Sequence, residues 1–244
     1  MIPHTIHYCW FGQAPLPELA EKCIVSWKKH MPEWEYMEWN ESNFDIAAAP
    51  LYVRQAHEAR KFAFVSDYVR LWALERYGGL YMDVDFEVFR PFDDLMDKYP
   101  AFAGYEGSKR EPVMQGVIAS EPHGAWVRDM LATYEDRTFI KADGSLDLTP
   151  NTSYFTDRLE TQGFVADGAE KDVWVKNMFF LHVFPVHYFC PVLTTGENVR
   201  TEETYCEHKG ESSWAKQTWK GRLLKCISPR MRTELIKLKR QIMG

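Results

Sequence analysis

Cysteine is scarce in this 244-residue sequence, which contains five cysteines and no Cys-x-x-Cys pair. An odd number of widely spaced cysteines favours neither a disulfide framework nor a zinc site built from cysteine pairs. We therefore expect reduced, buried thiols and a cytoplasmic location.

Long apolar runs are also missing, and none approaches the length of a membrane-spanning helix. The segment Met1–Thr5 does not lead into the apolar core of a signal peptide, so none is expected. The sequence shows no internal repeat or low-complexity tract. These absences, with 45% hydrophobic residues, predict an ordinary globular protein.

Positive charge is sparse in most of the chain. Residues 215–244 hold nine Lys or Arg and one acid, a charge of +8, whereas residues 1–214 carry −14. A nucleic-acid-binding protein would more often have a basic stripe on its folded body, so no nucleic-acid partner is expected. We predict one folded domain over residues 1–214 and a separate basic tail over residues 215–244.

The hydrophobic pattern of the first 90 residues predicts alternating strands and helices. Ile2–Trp10 and Trp34–Trp39 have strand character, and Leu19–His30 between them has helical spacing. This order favours parallel strands joined by a right-handed crossover, and hence an α/β fold. A second helix is predicted over His57–Tyr77, ended by two glycines, and a strand over Leu80–Phe89.

Two acidic residues in that last segment carry the clearest chemical signal. Asp83 and Asp85 lie two residues apart, so an extended backbone would point both carboxylates to one side. Paired carboxylates suit Mg²⁺ or Mn²⁺, although the same pattern also occurs on solvated strand faces. The preceding helix carries Asp67 and Arg70, which are three residues apart and can form an ion pair.

Taken together, these segments resemble the glycosyltransferases of family 32, whose sugar-binding region contains a DXD motif. Bacterial capsular polysaccharide enzymes and yeast mannosyltransferases belong to this family, and the clostridial glucosylating toxins share a related core. The resemblance covers most of the chain, and its central block is the most specific part. It rests on Ile2–Gly12, Trp39–Asn40, Phe64–Asp85, Leu148–Thr152 and His208–Trp214.

The resemblance implies a GT-A type fold, a Rossmann-like mixed sheet with flanking helices. It further implies transfer with retention of anomeric configuration and a need for Mn²⁺ or Mg²⁺. Asp83 and Asp85 match the motif that holds metal and donor, and His208 resembles the late metal ligand. Asp67 and Arg70 match the pair that contacts the donor sugar.

Further donor-binding residues follow from the matched segments. Trp10 matches an aromatic residue that stacks on the nucleobase. Ser212, Ser213 and Trp214 match a loop that closes over the diphosphate, but one extra residue leaves open which serine meets the phosphate. Lys209 is unusual there and could contact a phosphate oxygen. Gly12, Gly79, Tyr81 and Asn151 complete the donor-site residues in the matched segments, and Asn151 fits a helix N-cap equally well. Gln115 lies outside these segments and is predicted at the donor site because its polar side chain stands beside Gly116, which permits a close backbone approach.

The predicted function is metal-dependent transfer of a sugar from a UDP- or GDP-linked donor to a saccharide or lipid-linked acceptor, in surface polysaccharide synthesis. An Asp-x-Asp phosphohydrolase is an alternative, but Glu87 stands where that class has Thr or Val. A non-catalytic sugar-binding module is another, for which so many charged site residues would be superfluous.

The basic tail contains an amphipathic helix pattern. Ser228–Pro229 reads as a helix start, and apolar residues recur at Met231, Leu235, Leu238 and Ile242. Such a helix can lie on an anionic membrane surface. Packing against the acidic domain is the other interpretation, and both stay open.

Overall fold

The computed structural model describes residues 1–106, 113–175, 178–193 and 195–210, and its centre is a seven-stranded mixed β-sheet. The strands are β1 (Thr5–Cys9), β2 (Glu35–Trp39), β3 (Gly79–Met82), β4 (Phe86–Val88), β5 (Ala101–Gly104), β6 (Val117–Ser120), β7 (Lys171–Val175), β8 (Met178–Phe184) and β9 (Cys206–His208). β4 and β9 form a separate two-stranded ribbon.

Helices cover both faces of this sheet. They are α1 (Glu18–His30), α2 (Leu51–Glu58), α3 (Phe62–Tyr77), α4 (Asp93–Lys98), α5 (Ala125–Ala132), α6 (Asn151–Glu160) and α7 (Val186–Phe189). One apolar core lies under α2, α3, α5 and α6, with Trp126 and Phe155 fully buried. A second core lies under α1, α4 and α7, with Trp27 and Phe92 fully buried. The expected α/β architecture, a Rossmann-like mixed sheet with flanking helices, is confirmed.

Strand directions decide which residues meet at one edge of the sheet. The order is β2-β1-β3-β6-β5-β8-β7, and β1 is parallel to β2, as the opening pattern predicted, and also to β3. β6 runs antiparallel to β3 and β5, while β5 and β8 are parallel. The ends of β1, β3 and β5 and the start of β6 therefore share one edge, where ligands bind in open α/β sheets.

The expected long helix over His57–Tyr77 is two helices. α2 ends at Glu58, and Arg60 takes a positive φ of 55° before α3 begins at Phe62. The predicted end is right, because Gly78 and Gly79 both have positive φ angles. A side chain at Gly79 would place its Cβ 2.6 Å from the Thr5 carbonyl oxygen, so this close strand approach requires glycine.

The expected continuous strand over Leu80–Phe89 is wrong. β3 ends at Met82, residues 84 and 85 form a turn, and the chain resumes as β4 in the small ribbon. The Asp83 amide donates to the Gly116 carbonyl oxygen at 2.8 Å, and the Trp27 indole donates to the Phe86 carbonyl oxygen at 2.7 Å. These long-range bonds bend the chain out of the sheet and place Asp83 and Asp85 in a loop.

Proline directly precedes two of the later helices. Pro185 stands before α7 and Pro150 before α6, whose first residue is Asn151. Proline fits a helix start, where its missing N–H is not needed for an intrahelical bond.

Within the described ranges, no helix is both long and apolar enough to cross a membrane.

Candidate active site

The ends of several strands bring the predicted charged residues together at one edge of the sheet. Asp83 follows β3, and Gln115 and Gly116 precede the antiparallel strand β6 beside it. α3 runs back along the sheet from this edge, so the residues of its first turns lie near the end of β3. Asp67 and Arg70, on those turns, consequently sit next to Asp83.

Arg70 is the centre of the cluster. Its guanidinium lies 2.9 Å from Asp67 Oδ1 and 3.5 Å from Asp83 Oδ1, and only 7% of its side chain is exposed. It also donates to the Gln115 carbonyl oxygen at 2.6 Å and lies over the Tyr81 ring. The pair predicted from spacing as a possible surface ion pair is therefore buried and joined to the DXD loop.

The environment of Asp67 changes its acidity. Burial raises the pKa of the Asp67 carboxyl, and the nearby charge of Asp83 raises it further. Arg70 and Arg137 lower the pKa, and the net result is a pKa of about 6. Arg70 keeps its charge, because Asp83, Tyr81 and Asp67 together raise its pKa against the effect of burial. Two carboxylates and one guanidinium thus share a site with little water, where electrostatic interactions are strong.

Asp83 has two differently used oxygens. The Tyr81 hydroxyl donates to Oδ1 at 2.7 Å, and Arg70 approaches the same oxygen. A Cβ at Gly116 would come within 2.9 Å of Oδ2, so glycine leaves the second oxygen accessible. Burial raises the pKa of Asp83, with Arg70 opposing and Asp85 adding to the effect.

Asp85 meets His208 from the far end of the described chain. His208 Nε2 lies 3.0 Å from Asp85 Oδ2, and its ring stacks on Phe86 with centroids 4.8 Å apart. Burial lowers the pKa of His208, but its bond to Asp85 and the nearby acidic charges outweigh this, so the pKa is raised overall. β9 holds His208 in register with Phe86, which explains the contact across 123 residues.

The chemistry of these side chains fits a divalent cation. In an octahedral site with bond lengths of about 2.1 Å, two neighbouring ligand atoms lie about 3 Å apart. His208 Nε2 and Asp85 Oδ2 are 3.0 Å apart, which matches this spacing. Within the described ranges no three His, Cys, Asp or Glu side chains already close around one point. A cation here would draw further ligands from a bound diphosphate, as Mg²⁺ sites commonly do.

Trp10 and Gly12 lie beyond the end of β1 at the same edge. Trp10 is half-buried, and its indole donates to the Ala14 carbonyl oxygen at 2.6 Å. The Gly12 amide donates to Glu41 at 2.7 Å, and a Cβ there would collide with the Phe62 ring. The loop after β1 is therefore tied to β2 and α3, and it forms a wall of the site.

Gln115 and Asn151 form a second wall. The Asn151 amide nitrogen donates to Gln115 Oε1, and the Tyr134 hydroxyl donates to Asn151 Oδ1 at 3.3 Å. Both amide side chains are buried, and Gln115 Nε2 has no partner among the described residues. The start of α6 is thus joined to the start of β6.

Three predicted donor-site residues are placed differently from the expectation. Gly79 is buried at the opposite end of β3 from Asp83, against Thr5 and His7, where it serves strand packing. Tyr81 is 1% exposed and supports Asp83 from below. Lys209 Nζ lies 2.8 Å from Glu87 and 3.0 Å from Glu207, so two carboxylates hold it. Ser212, Ser213 and Trp214 lie outside the described residues.

Glu106 is a site residue that the sequence did not single out. It follows β5 at the shared edge, hydrogen-bonds with Thr152, and lies within the electrostatic reach of His208 and Asp83. Burial raises its pKa, with His208 opposing and Asp83 adding to the effect. Only strand order brings it here, because no local motif surrounds it.

The acidity of Asp67 predicts a pH dependence. If the carboxylate form binds a sugar hydroxyl, activity should rise as pH increases through about 6. Stability should respond in the opposite sense: the folded-state pKa is above the ordinary 3.8, so this group's stabilisation is complete below 3.8 and is lost as pH rises through about 6.

Donor hydrolysis and thermal unfolding measured from pH 4.5 to 8 would check this dependence. Asp67→Asn should remove the group's contribution to both profiles, whereas Asp45→Asn, on an exposed turn, should leave both unchanged. An acidic limb that persists in Asp67→Asn with undiminished activity would assign the titration to another group.

Comparison with known proteins bears on this geometry. Residues 17–102 match the family model described as "Glycosyltransferase sugar-binding region containing DXD motif". This range includes Asp67, Arg70, Asp83 and Asp85, so the resemblance recognised in the sequence is confirmed over this part of the chain.

Two curated relatives are similar over part of the chain. Glucan organizing enzyme 1 of Cryptococcus neoformans is 27% identical over 167 residues, which cover 55% of this chain and 44% of the relative. Inositol phosphoceramide mannosyltransferase 1 of Schizosaccharomyces pombe is 26% identical over 107 residues, which cover 40% of this chain and 32% of the relative. The chain thus spans less than half the length of these relatives.

Solved structures show weaker likeness. The PaToxG glycosyltransferase has a TM-score of 0.48 at 17% identity and covers 66% of this chain and 69% of its own. A glycosyltransferase involved in the glycosylation of the major capsid of PBCV-1 has a TM-score of 0.44 at 13% identity. The match covers 95% of this chain and 98% of that protein.

Proposed function

We propose that this protein transfers a sugar from a nucleotide-sugar donor. Its residues 17–102 match the model of the glycosyltransferases with a DXD-containing sugar-binding region. The observation that carries the proposal is the cluster of Asp67 and Asp83 around the buried Arg70, beside the Asp85–His208 pair. The cluster would provide polar contacts for a sugar, and the Asp85–His208 pair would bind the cation that accompanies a diphosphate. Both lie at the same edge of the sheet.

Each part of the cluster has a distinct task in this proposal. A bound Mn²⁺ or Mg²⁺, held by Asp83, Asp85 and His208, would neutralise charge on the departing nucleoside diphosphate. Tyr81 and Arg70 hold Asp83 Oδ1, so its Oδ2 is directed to the cation side. Ionised Asp67 accepts hydrogen bonds from sugar hydroxyls, and the fixed Arg70 charge stabilises the negative charge that develops on the departing phosphate oxygen.

The acceptor and the stereochemistry are also proposals. We take transfer to proceed with retention, as the family resemblance implies. One relative is named as a mannosyltransferase of inositol phosphoceramide, and this supports a saccharide or lipid-linked acceptor in surface polysaccharide synthesis. Glu106, which lies within the electrostatic reach of His208 and Asp83, would orient an acceptor hydroxyl.

A phosphohydrolase mechanism is less consistent with the geometry. Such an enzyme has Thr or Val where this chain has Glu87, whose carboxylate faces Lys209, and it has no need of the Asp67–Arg70 pair beside the motif. The function is tested by incubating the full chain with Mn²⁺ and UDP-glucose, UDP-galactose or GDP-mannose, and measuring release of free sugar.

Sugar release that stops on chelation would support the proposal. Release of inorganic phosphate from simple phosphomonoesters would favour the phosphohydrolase. Binding of free saccharides without turnover of any donor would favour a sugar-binding module.

Trp10 is predicted to stack on the donor base. Trp10→Ala should weaken binding of the free nucleoside diphosphate by about 1–3 kcal/mol while leaving the preference among sugars unchanged. Calorimetry with UDP or GDP and Mn²⁺ would measure this. Trp174→Ala is the matched control, because Trp174 is 53% exposed on the far edge strand β7. Equal affinities for both variants would show that Trp10 packs within the fold and does not stack on the donor base.

The basic tail carries a proposal of its own. We propose that residues 229–244 attach the enzyme peripherally to the inner face of an anionic membrane, each cation adding about 1 kcal/mol. Deleting this segment should abolish sedimentation with phosphatidylserine vesicles at low salt and preserve donor hydrolysis. Full-length protein that never sediments with such vesicles would refute membrane attachment.

A further inference from the structure

Arg137 is buried in a cage of three tyrosines contributed by separate parts of the fold. Its guanidinium carbon lies 3.7 Å from the Tyr154 ring centre, 4.4 Å from that of Tyr52 and 4.8 Å from that of Tyr134. Tyr52 belongs to α2, Tyr154 belongs to α6, and Tyr134 follows α5. Aromatic faces stabilise a cation electrostatically, so the cage compensates part of the cost of burying it.

The polar bonding of Arg137 is incomplete. One nitrogen lies 3.3 Å from Asp147 Oδ2, and only 13% of the side chain is exposed. Its Nε and second terminal nitrogen are buried without a hydrogen-bond partner in the described part of the chain. A buried cation with one carboxylate partner is a poor source of stability, because its desolvation cost is high. The arrangement therefore suggests a role for its charge and shape outside the cage.

A chain of hydrogen bonds leads from the cage to the donor site. Tyr134, whose ring packs on Arg137, donates to Asn151, and Asn151 donates to the Gln115 side chain. The Gln115 backbone carbonyl oxygen in turn accepts from Arg70. Because each member is buried, displacement of the Tyr134 ring would be passed along to the wall of the site.

The charge of Arg137 also reaches the site. It lowers the pKa of Asp67, in the same sense as Arg70 and against burial and Asp83. The buried phenols Tyr52 and Tyr134 face the same space, and their acidity responds to both Asp67 and Arg137. The charge of Arg137 therefore acts on the carboxylate that the proposed function assigns to the sugar.

We propose that Arg137 is a positioning residue for the sugar half of the donor site. It holds the Tyr134–Asn151–Gln115 chain in place, and its positive charge favours the ionised form of Asp67. The inference rests on the proposed function for its catalytic meaning, whereas its electrostatic part concerns the protein alone. It separates two halves of the site: Arg137 serves the sugar side, and Asp83, Asp85 and His208 serve the diphosphate side.

The kinetic test compares Arg137→Met with Arg158→Met. Arg158 also pairs with an aspartate, Asp129, and also joins α6 to α5, but it is 45% exposed and outside the hydrogen-bond chain. With UDP-glucose or GDP-mannose as the probe, Arg137→Met should lower kcat/KM by about 10- to 100-fold. Its affinity for free UDP or GDP with Mn²⁺ should match the wild type, and Arg158→Met should be normal in both assays.

A second measurement needs no substrate. Carboxyl ¹³C chemical shifts of aspartate-labelled protein, with Asp67 assigned from Asp67→Asn, report the protonation of that group directly. Its midpoint should lie near 6 in the wild type, move upward in Arg137→Met, and stay in place in Arg137→Lys and Arg158→Met. If no donor is hydrolysed by the wild type but the midpoint moves, the proposed function fails and the electrostatic placement of Arg137 stands.

Other outcomes would overturn the inference. They are an unmoved Asp67 midpoint in Arg137→Met, kinetics equal to those of Arg158→Met, or equal losses of nucleotide-sugar and free-nucleotide binding. Should Arg137→Met fail to fold, Tyr134→Phe decides, because it keeps the cage ring and removes only the hydroxyl that holds Asn151. It should lower kcat/KM with free-nucleotide affinity unchanged, and normal kinetics would refute the chain.

Discussion

Asp85→Asn should remove metal-dependent sugar release while leaving the protein folded. Asparagine fills the same volume and can still hydrogen-bond His208, but it lacks the charge that a divalent cation requires. Loss of several kcal/mol of leaving-group stabilisation corresponds to a fall in kcat of about 10³-fold or more. Initial rates over a Mn²⁺ titration would measure it.

Glu87→Gln is the matched control for this variant. Glu87 lies two residues away on the same ribbon, but its carboxylate is paired with Lys209. We expect near-normal turnover and an unchanged Mn²⁺ dependence. Wild-type rates in Asp85→Asn, with its fold verified by circular dichroism, would remove Asp85 from the metal site.

Arg70→Met should be both inactive and strongly destabilised. The substitution leaves the largely buried Asp67 and the partly exposed Asp83 near one another without their shared cation, and the Gln115 carbonyl oxygen loses its donor. Breaking a buried ion pair from one side costs about 3–5 kcal/mol. For a chain of this size that corresponds to a fall in Tm of roughly 10 °C.

A double variant separates the electrostatic cause from lost packing. Arg70→Met combined with Asp67→Asn removes one of the two uncompensated carboxylates, so part of the lost Tm should return while activity stays absent. Arg76→Met, on the exposed side of the same helix, should change neither property. Additive effects in the double variant would show that the two residues do not interact in the folded protein.

The cluster itself was predictable in part. Asp67 and Arg70 are three residues apart on a helix that the apolar spacing predicts, and Asp83 and Asp85 follow two glycines that end it. Local spacing was sufficient to propose that the four belong together. Local spacing did not predict their arrangement correctly. The expected strand bends at Asp83, so Asp83 contacts Tyr81 whereas Asp85 contacts His208.

Distant members of the site had no comparable signal. His208 was proposed only through family resemblance, and its contact with Asp85 depends on the β4–β9 register. Nothing in the sequence distinguished Glu106 from other acidic residues, and Arg137 was not considered, because neither stands in a motif. Lys209 was expected at a phosphate, but its neighbours Glu87 and Glu207 come together only when the ribbon forms.

The sequence by itself determined the α/β class, the parallel opening of the sheet, the long helix before the glycines and the acidic motif, because each follows from contacts between residues close in the chain. The tertiary structure alone decided the bend at Asp83, the burial of Arg70 and the convergence of Glu106, Gln115, Asn151 and His208 on one edge. These depend on strand order and direction, which the packing of the whole sheet selects and no local pattern encodes.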